Sequence, residues 1–170
     1  VNPIAEISSI SHSKRAYVFV DGAQSVAHKS IDVSKIGCDF FAFSAHKMYG
    51  PTGIGVLWGK EHLFNDMGPW QGGGEMIQYV TFESTDYAQL PYKFEAGTPN
   101  ISGVIGLGSA IDFLEALDLE QIMAYEQKLL DYATAAIRSI KGFNLVGTAV
   151  EKAPIVSFVH GTIHAHDIGT

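Results

Sequence analysis

The sequence contains little cysteine, no long apolar run and no excess of basic charge. Its single cysteine among 170 residues excludes an internal disulfide framework. No apolar run approaches the roughly 20 residues that a membrane-spanning helix requires. Lysine and arginine number 11 against 18 aspartate and glutamate residues, which gives a net charge of −7. That balance argues against a nucleic-acid partner, which usually needs a basic patch on the protein.

The remaining composition is typical of a folded protein. Hydrophobic residues make up 46% of the sequence and charged residues 17%, which excludes a disordered chain. The length allows one medium domain with a sizeable core. The sequence begins with Val1 instead of methionine and stops at Thr170 within a predicted element, so we expect a segment of a longer protein. A lone thiol and the lack of signal-peptide features in the first residues lead us to expect a cytoplasmic protein.

Short β-rich apolar runs and helical stripes alternate in the first half of the chain, and this alternation predicts an α/β fold. The runs at residues 16–20 and 40–43 are typical of buried parallel strands. A third strand is predicted at residues 54–58, and a helix at residues 60–67.

Two longer helices with apolar stripes are predicted in the second half. Asn100 can cap the first, and the second spans about residues 119–141, with Gly142 as its expected C′ residue. The predicted buried positions of the first helix are Ile101, Val104, Ile105, Gly108, Ile111 and Leu114. Those of the second helix are Ile122, Tyr125, Leu129, Ala133, Ala136 and Ile140.

The residues that follow the second predicted strand are rich in chemistry. They read Ser-Ala-His-Lys-Met-Tyr-Gly-Pro-Thr-Gly from Ser44 onward. A lysine is costly at the end of a core strand, and a desolvated amine beside positive charge becomes nucleophilic enough for a Schiff base. Ser44 and His46 can supply donors to a phosphate next to Lys47. The alternative, a surface loop with a solvated lysine, fits this loop equally well when it is considered alone.

A second motif, Asp-Gly-Ala-Gln, follows the first predicted strand. Ligands of open α/β sheets lie beyond the carboxyl ends of strands, where Asp21 and Gln24 are expected. An aspartate there can pair with a protonated pyridine nitrogen, and Gln24 can reach a ring oxygen. The alternative is that Asp21 caps a turn, as Asp-Gly pairs commonly do. Taken together with Lys47, the two motifs predict a pyridoxal phosphate site.

Four motifs resemble the class V aminotransferase superfamily, and in particular the SUF-type (group II) cysteine desulfurases. These motifs are residues 20–24, residues 43–55, residues 71–77 and residues 94–100. The resemblance covers essentially the whole chain, in order and with matching spacing. It implies an α/β fold type I pyridoxal-phosphate enzyme with a mainly parallel sheet between helices. It also implies that residues 1–118 belong to the large cofactor-binding domain. Residues 119–170 would form a linking helix and the start of a small C-terminal domain.

The resemblance also implies roles for individual residues. Lys47 is expected to bind pyridoxal 5′-phosphate covalently and to move protons at the substrate α-carbon. Asp21 is expected to pair with the pyridine nitrogen, and Gln24 to donate to the ring hydroxyl oxygen. Ser44 and His46 match the residues that bind the phosphate.

The activity and partners of the family follow from the same resemblance. Thr98 matches a residue that reaches the phosphate of the neighbouring subunit in a homodimer. The implied reaction takes sulfur from L-cysteine, leaves alanine and carries the sulfur as an enzyme persulfide. The sulfur then passes to an acceptor protein, as in iron–sulfur cluster assembly. We expect no metal site, because His164, His166 and Asp167 lack a third distant ligand. The resemblance places this stretch at the entry to a helix, so we expect structural roles for these residues.

Several functional residues of the family have no counterpart within this sequence. The ring-stacking histidine and a phosphate-binding threonine would precede Val1, and the substrate-binding arginine and nucleophilic cysteine would follow Thr170. Cys38 does not match that cysteine, and we expect it to be a buried thiol. Two alternatives stay open. The segment could be a non-catalytic, incomplete domain. The family member could instead be a selenocysteine lyase, a cysteine sulfinate desulfinase or an aminotransferase.

Overall fold

The computed structural model describes residues 2–170 and divides them into two compact units. One unit is Ile4–Ala116, and the other consists mainly of Leu117–Thr170. Both contain helices and strands, which agrees with the α/β class predicted from the sequence. Within residues 2–170, none of the helices has the length and hydrophobicity that crossing a membrane requires.

A three-stranded sheet organises the first unit. Its strands are β1 (Phe19–Asp21), β2 (Phe40–Ser44) and β3 (Gly55–Gly59), in the order β1-β2-β3. β1 and β2 are parallel, as the apolar runs predicted, whereas β3 runs antiparallel to β2. The sequence predicted β3 without a direction, because Gly55 interrupts the continuous apolar run that is typical of a parallel strand.

The first unit also contains α-helices and a β-hairpin, which lie before, between and after these strands in the sequence. The helices are α1 (Ile4–Ser13), α2 (Val33–Ile36), α3 (Glu61–Asp66) and α4 (Ile101–Glu115). The hairpin consists of β4 (Ile77–Val80) and β5 (Thr85–Tyr87), which pair antiparallel. The core beneath the sheet is centred on Val18, Cys38 and Phe41.

The first predicted strand is shorter and less buried than its sequence indicated. Val18 is buried, but Tyr17 is 71% exposed and Phe19 is 60% exposed. The backbone amides of Asp39 and Phe40 both donate to Val18 O, so pairing with the neighbouring strand begins at Val18. The prediction of a buried strand at residues 16–20 was therefore wrong for Tyr17 and Phe19, since the residues of this unit cover one face of β1.

Helix α4 begins after the predicted cap but buries a different face. The Asn100 side chain accepts a hydrogen bond from Gly103 N, which confirms the predicted cap. The residues of α4 that are buried are Gly103, Leu107, Ala110 and Leu114. Of the predicted stripe, Leu114 is buried, while Ile101, Val104 and Ile105 are at least half exposed. The helix is apolar on most sides, so the stripe alone could not identify the face whose small residues allow close packing.

The second unit contains helix α5 (Leu119–Ser139), strands β6 (Phe143–Val146) and β7 (Ser157–His160), and helix α6 (Ala165–Gly169). β6 and β7 form an antiparallel hairpin. The inward residues of α5 are Ile122, Glu126, Leu130, Ala133, Thr134 and Ile137. Tyr125, Leu129 and Ile140 are exposed, so the predicted stripe was wrong by about one residue along much of the helix.

The predicted role of Gly142 also needs correction. The C-cap of α5 is Ile140, so Gly142 lies two residues beyond the cap rather than at C′. It does adopt a positive φ of 92°, which favours glycine, in the turn that enters β6. The His160 ring occupies the space that a Gly142 side chain would need.

Candidate functional site

The parallel pairing of β1 and β2 brings two predicted site residues to the same edge of the sheet. Asp21 is the last residue of β1 and pairs with Ala42, and Ser44 is the last residue of β2. A single turn of 3-10 helix, Ala45–Lys47, follows at once and carries His46 and Lys47. Since both strands end at this edge, the two sequence motifs meet where α/β proteins bind ligands.

Asp21 holds the turn that leaves the sheet. Its Oδ1 accepts a hydrogen bond from Ala23 N at 2.9 Å, which is the turn-capping interaction that the sequence offered as an alternative. This contact uses one of two carboxylate oxygens. The same carboxylate can therefore cap the turn and pair with a cationic group. Gln24 is exposed in this turn.

The residue after Asp21 fixes the end of β1 on the core. Gly22 N donates to Ala42 O at 2.8 Å, and the Phe41 ring lies where a Gly22 side chain would be. Gly22 is buried and Phe41 is 4% exposed. The sequence signalled a turn at Gly22, but this contact with Phe41 depends on the fold and had no sequence signal.

The loop that carries Lys47 is organised around the carbonyl of Ala45. Ala45 is fully buried, and its carbonyl accepts from both Met48 N and Gly50 N at 2.9 Å. Tyr49 adopts a positive φ of 66° between these two amides. A Cβ on Gly50 would lie 3.0 Å from Ala45 O, so a larger residue at position 50 would crowd this turn.

Lys47 and His46 are both exposed to solvent. A Schiff base calls for a desolvated lysine, which residues 2–170 do not supply, whereas the exposure of Lys47 matches the alternative of a solvated lysine on a surface loop. Ser44, by contrast, is half-buried at the start of the turn. The hydroxyl of Ser44, the imidazole of His46 and the amine of Lys47 thus follow one another closely where β2 ends.

Helix α4 contacts Tyr49 and Pro51 in the second half of the lysine loop, the loop from Ala45 to Ile54. The Tyr49 and Phe113 rings meet edge to face with centroids 5.9 Å apart. A Cβ on Gly106 would lie 3.0 Å from Pro51 Cγ, so Pro51 packs closely on this helix. The Tyr-Gly-Pro-Thr-Gly motif is therefore a docked turn, a feature that the sequence did not reveal.

The loop that carries Thr98 is joined to the glycine-rich segment. Gly97 N donates to Gly74 O at 2.9 Å, and a Cβ on Gly73 would lie 3.1 Å from Ala96 Cβ. Thr98 itself is exposed. Two motifs that are about 20 residues apart in sequence thus form one surface, and Thr98 is held on it by its neighbours.

A buried carboxylate, Asp39, ties the opposite edge of the sheet together. Its oxygens accept from Val18 N at 2.7 Å, from Lys60 Nζ at 2.7 Å and from His12 Nε2 at 2.8 Å. Burial alone would raise the pKa of Asp39, but the hydrogen bonds from Lys60, His12 and Val18 N outweigh it and lower that pKa to about 2. The group is therefore a charged structural anchor, which sequence reasoning missed because its partners are distant in sequence.

Cys38 is fully buried in the core, as predicted. Burial raises the pKa of its thiol above the usual range. Thiolate is the reactive form of cysteine, so this residue is poorly suited to nucleophilic attack.

The histidines near the end of the chain have structural partners. His164 is the N-cap of α6, and its Nδ1 accepts from His166 N at 3.2 Å. Within residues 2–170, no three potential His, Cys, Asp or Glu ligands lie together in a way that could hold a metal ion.

Comparison with known proteins gives a consistent result over the whole chain. The family model described as aminotransferase class-V matches residues 1–170. A cysteine desulfurase from Klebsiella pneumoniae is 48% identical over 170 residues, covering 99% of this chain and 42% of the relative. The chain thus spans less than half the length of the curated relatives that it matches.

Solved structures agree with the fold. The crystal structure of the cysteine desulfurase CsdA from Escherichia coli matches with a TM-score of 0.90 and 39% identity, over 97% of this chain and 41% of that one. The apo cysteine desulfurase from Thermococcus onnurineus matches with a TM-score of 0.89 and 36% identity, over 97% of this chain and 42% of that one. These matches confirm the predicted α/β fold class. The antiparallel strand of the sheet is β3.

Proposed function

The chain belongs to the class V aminotransferase family, and from that premise we propose that it is the central segment of a cysteine desulfurase. The proposed parent enzyme removes sulfur from L-cysteine, leaving alanine and an enzyme persulfide, with pyridoxal phosphate as cofactor. The observation that carries this proposal is the common sheet edge of Asp21, Ser44 and Lys47. The names of the relatives, and their greater length, support both the activity and the partial nature of the segment.

The donor set at this edge fits the cofactor. Pyridoxal phosphate presents an aldehyde, a ring nitrogen and a phosphate, and these need an amine, a carboxylate and hydrogen-bond donors. Lys47 supplies the amine, and Asp21 has a second carboxylate oxygen beyond the one that accepts from Ala23 N. Ser44 and His46 supply a hydroxyl and an imidazole beside the amine. The aldehyde, the ring nitrogen and the phosphate thus each have a residue of suitable chemistry at this edge of the sheet.

Each of these residues has a definite task in the proposed reaction. When bound, the cofactor supplies a conjugated ring that accepts the electron pair released at the substrate α-carbon. Lys47 holds the cofactor and, once its amine is released, takes the proton from that carbon. The Asp21 carboxylate keeps a proton on the ring nitrogen, while Ser44 and His46 hold the phosphate. Gln24 orients the ring by donating to its hydroxyl oxygen.

Other features of the family are part of the same proposal. Thr98 reaches the phosphate of a second subunit, so the parent is a homodimer. The thiol that receives sulfur lies outside this segment, because Cys38 is buried. An acceptor protein then takes the sulfur, as in iron–sulfur cluster assembly in the cytoplasm.

The domain arrangement is proposed on the same basis. Residues 1–118 form part of the large cofactor-binding domain, and residues 119–170 form a linking helix and the start of the small domain. The separation of the chain into compact units after Ala116 supports this boundary.

Substitution of Lys47 tests the proposal directly. We expect the parent protein with added pyridoxal phosphate to show the visible absorbance band of lysine-bound cofactor and to release alanine from L-cysteine. Lys47→Ala should abolish the band and lower the rate of alanine release by at least about a hundredfold, because it removes the covalent attachment and the base. Lys35→Ala, at a lysine whose side chain is 85% exposed, is the control and should retain both.

Three results would contradict the proposal: no band in the wild-type parent, a band that persists in Lys47→Ala, or a band without sulfur release. The last result would favour transamination or another class V activity.

The exposure of Lys47 and His46 favours a second, narrower proposal for the segment by itself. An amine in water keeps its strong hydration and forms a less stable bond with the cofactor. The 170 residues alone should therefore behave as a non-catalytic partial domain. A pyridoxal phosphate titration of the segment should give a weaker band than the parent, and an equal band would refute this second proposal.

A further inference from the structure

Asn100 uses both ends of its side-chain amide. Its Oδ1 accepts from Gly103 N at 3.0 Å and from Ser102 Oγ at 3.3 Å, which caps helix α4. Its Nδ2 donates to Gly53 O at 3.3 Å, across 47 positions of the sequence. The cap explains the oxygen contacts, but capping makes no use of the Nδ2 donor.

Gly53 lies where the lysine loop closes. Ala45 N donates to Ile54 O at 3.1 Å, so the loop from Ala45 to Ile54 returns to its own starting residue. Gly53 has a positive φ of 78° immediately before that closing contact. A hydrogen bond to Gly53 O therefore restrains the peptide that completes the loop around His46 and Lys47.

The local sequence makes room for this contact. A Cβ on Gly103 would lie 2.5 Å from Asn100 Nδ2, so a larger residue at position 103 would displace the amide. The other contacts between α4 and the loop, at Pro51 and Tyr49, are van der Waals contacts between apolar groups. Asn100 adds a directional contact, because a hydrogen bond fixes orientation as well as distance.

We propose that Asn100 is a positioning residue for Lys47. Asn100 holds the lysine loop in place through its hydrogen bond to Gly53 O, and the same side chain caps α4. The relevance to catalysis rests on the proposed role of Lys47 as the cofactor-binding lysine. The effect on the loop does not, since it concerns the backbone of residues 45–54 in the protein without cofactor.

Asn100→Asp separates the two roles of this side chain. Aspartate caps helices as well as asparagine does, so the α4 cap is kept. The variant has no amide donor, however, and sets a carboxylate oxygen against Gly53 O. Asn100→Ser keeps a cap but is too short to reach Gly53, and it serves if the first variant fails to fold. Ser102→Ala is the matched control, because it removes one contact with Asn100 Oδ1 and leaves Nδ2 unchanged.

The first measurement is hydrogen exchange of the Met48 and Gly50 amides in the parent protein without cofactor. Both amides donate to Ala45 O, so their exchange reports loop opening. Loss of one hydrogen bond should speed their exchange by about threefold to tenfold in Asn100→Asp and Asn100→Ser. The melting temperature should stay close to that of the wild type, and Ser102→Ala should match the wild type in both measurements.

The second measurement is pyridoxal phosphate binding followed by the visible band, where we expect several-fold weaker binding in both Asn100 variants. Wild-type exchange in Asn100→Asp and Asn100→Ser, or equal acceleration in Ser102→Ala, would overturn the proposal. Faster exchange with unchanged cofactor binding would also overturn it, because the loop would then not position Lys47. If the wild-type parent gives no band at all, the proposed function fails, and the exchange data alone decide whether Asn100 holds the loop.

Discussion

At the scale of single residues, Asp39 shows how one buried carboxylate can join several elements. Its partners come from α1, from the residue before β1 and from the residue before α3. The pKa of Asp39 is about 2 in the folded protein, against an ordinary value of 3.8. Because the folded-state pKa is depressed, the stabilisation is fully present above the ordinary value and is lost as the pH falls towards 2.

Asp39→Asn should therefore lower the free energy of unfolding at neutral pH. We expect a loss of about 1 to 2 kcal/mol, since the lowered pKa sets the upper figure and solvent screens Lys60 and His12, whose side chains are over a third exposed. The difference from wild type should shrink between about pH 4 and pH 2. Urea unfolding of the parent at several pH values measures both effects. Asp112→Asn, at an exposed position of α4, is the control and should match the wild type, and a pH-independent difference at Asp39 would contradict the assignment.

Cys38 gives a second prediction at this scale. Because the thiol is buried and burial raises its pKa, it should not react with a thiol reagent in the folded protein and should react once urea unfolds the chain. The reaction of 5,5′-dithiobis(2-nitrobenzoic acid), followed by mass spectrometry of the peptide that contains Cys38, measures this. Rapid labelling of the native protein would show that the core opens readily.

At the scale of elements, the sequence predicted which segments are helices better than which faces they bury. α4 and α5 were recognised because the Asn100 cap of α4 and the apolar spacing of both helices are local properties, whereas the Asp118 cap of α5 was missed. Their buried faces depend on what packs against them. In α4 that choice favours Gly103 and Ala110 over the larger Ile101 and Ile105, which a stripe of apolar residues cannot reveal.

The candidate site was predictable to a similar extent. The parallel direction of β1 and β2 follows from their apolar runs, so the common edge of Asp21 and Ser44 was expected. The anchoring of the lysine loop by α4 was not, because Asn100 and Gly53 are 47 positions apart. Exposure of Lys47 matches the alternative of a solvated lysine, which the loop sequence alone could not separate from a desolvated one, since burial depends on neighbours that a local motif does not specify.

The cap of α5 supplies the prediction at the scale of elements. Asp118 Oδ1 accepts from Glu120 N and Gln121 N at 3.1 Å, and Oδ2 accepts from Gln121 Nε2 at 2.7 Å. The hydrogen bonds from Gln121, its backbone amide first, lower the pKa of Asp118. Asp118→Ala should lower the melting temperature by a few degrees, whereas Asp118→Asn, which keeps the cap, should have a smaller effect. Equal melting temperatures for all three proteins, measured by circular dichroism, would show that the cap does not stabilise α5.

At the scale of the whole molecule, the segment exposes many large apolar side chains in both of its compact units. The most exposed of them are Tyr17, Trp70, Phe82, Tyr132 and Val150. The relatives are more than twice as long as this chain, which provides residues to cover such surfaces. The sequence resemblance implied that parts of the site were missing, but it could not show which large apolar side chains are exposed, because exposure depends on packing.

We therefore expect the 170-residue segment by itself to raise the fluorescence of 8-anilinonaphthalene-1-sulfonate several-fold more than an equal concentration of the parent. It should also self-associate in light-scattering measurements. A segment that stays monomeric and leaves the dye unchanged would show that its exposed side chains are dispersed rather than contiguous. Urea-unfolded segment, which should not bind the dye, is the control.

The contact between Gly22 and Phe41 has a consequence for how this sequence can evolve. The ring fills the place of a side chain at position 22, so any larger residue there must follow or accompany a smaller residue at position 41. A change at position 41 alone leaves a void in the core, and a change at position 22 alone creates a clash next to Asp21. The two positions are therefore coupled, and laboratory evolution of this sheet edge would have to reduce residue 41 before, or together with, any enlargement of residue 22.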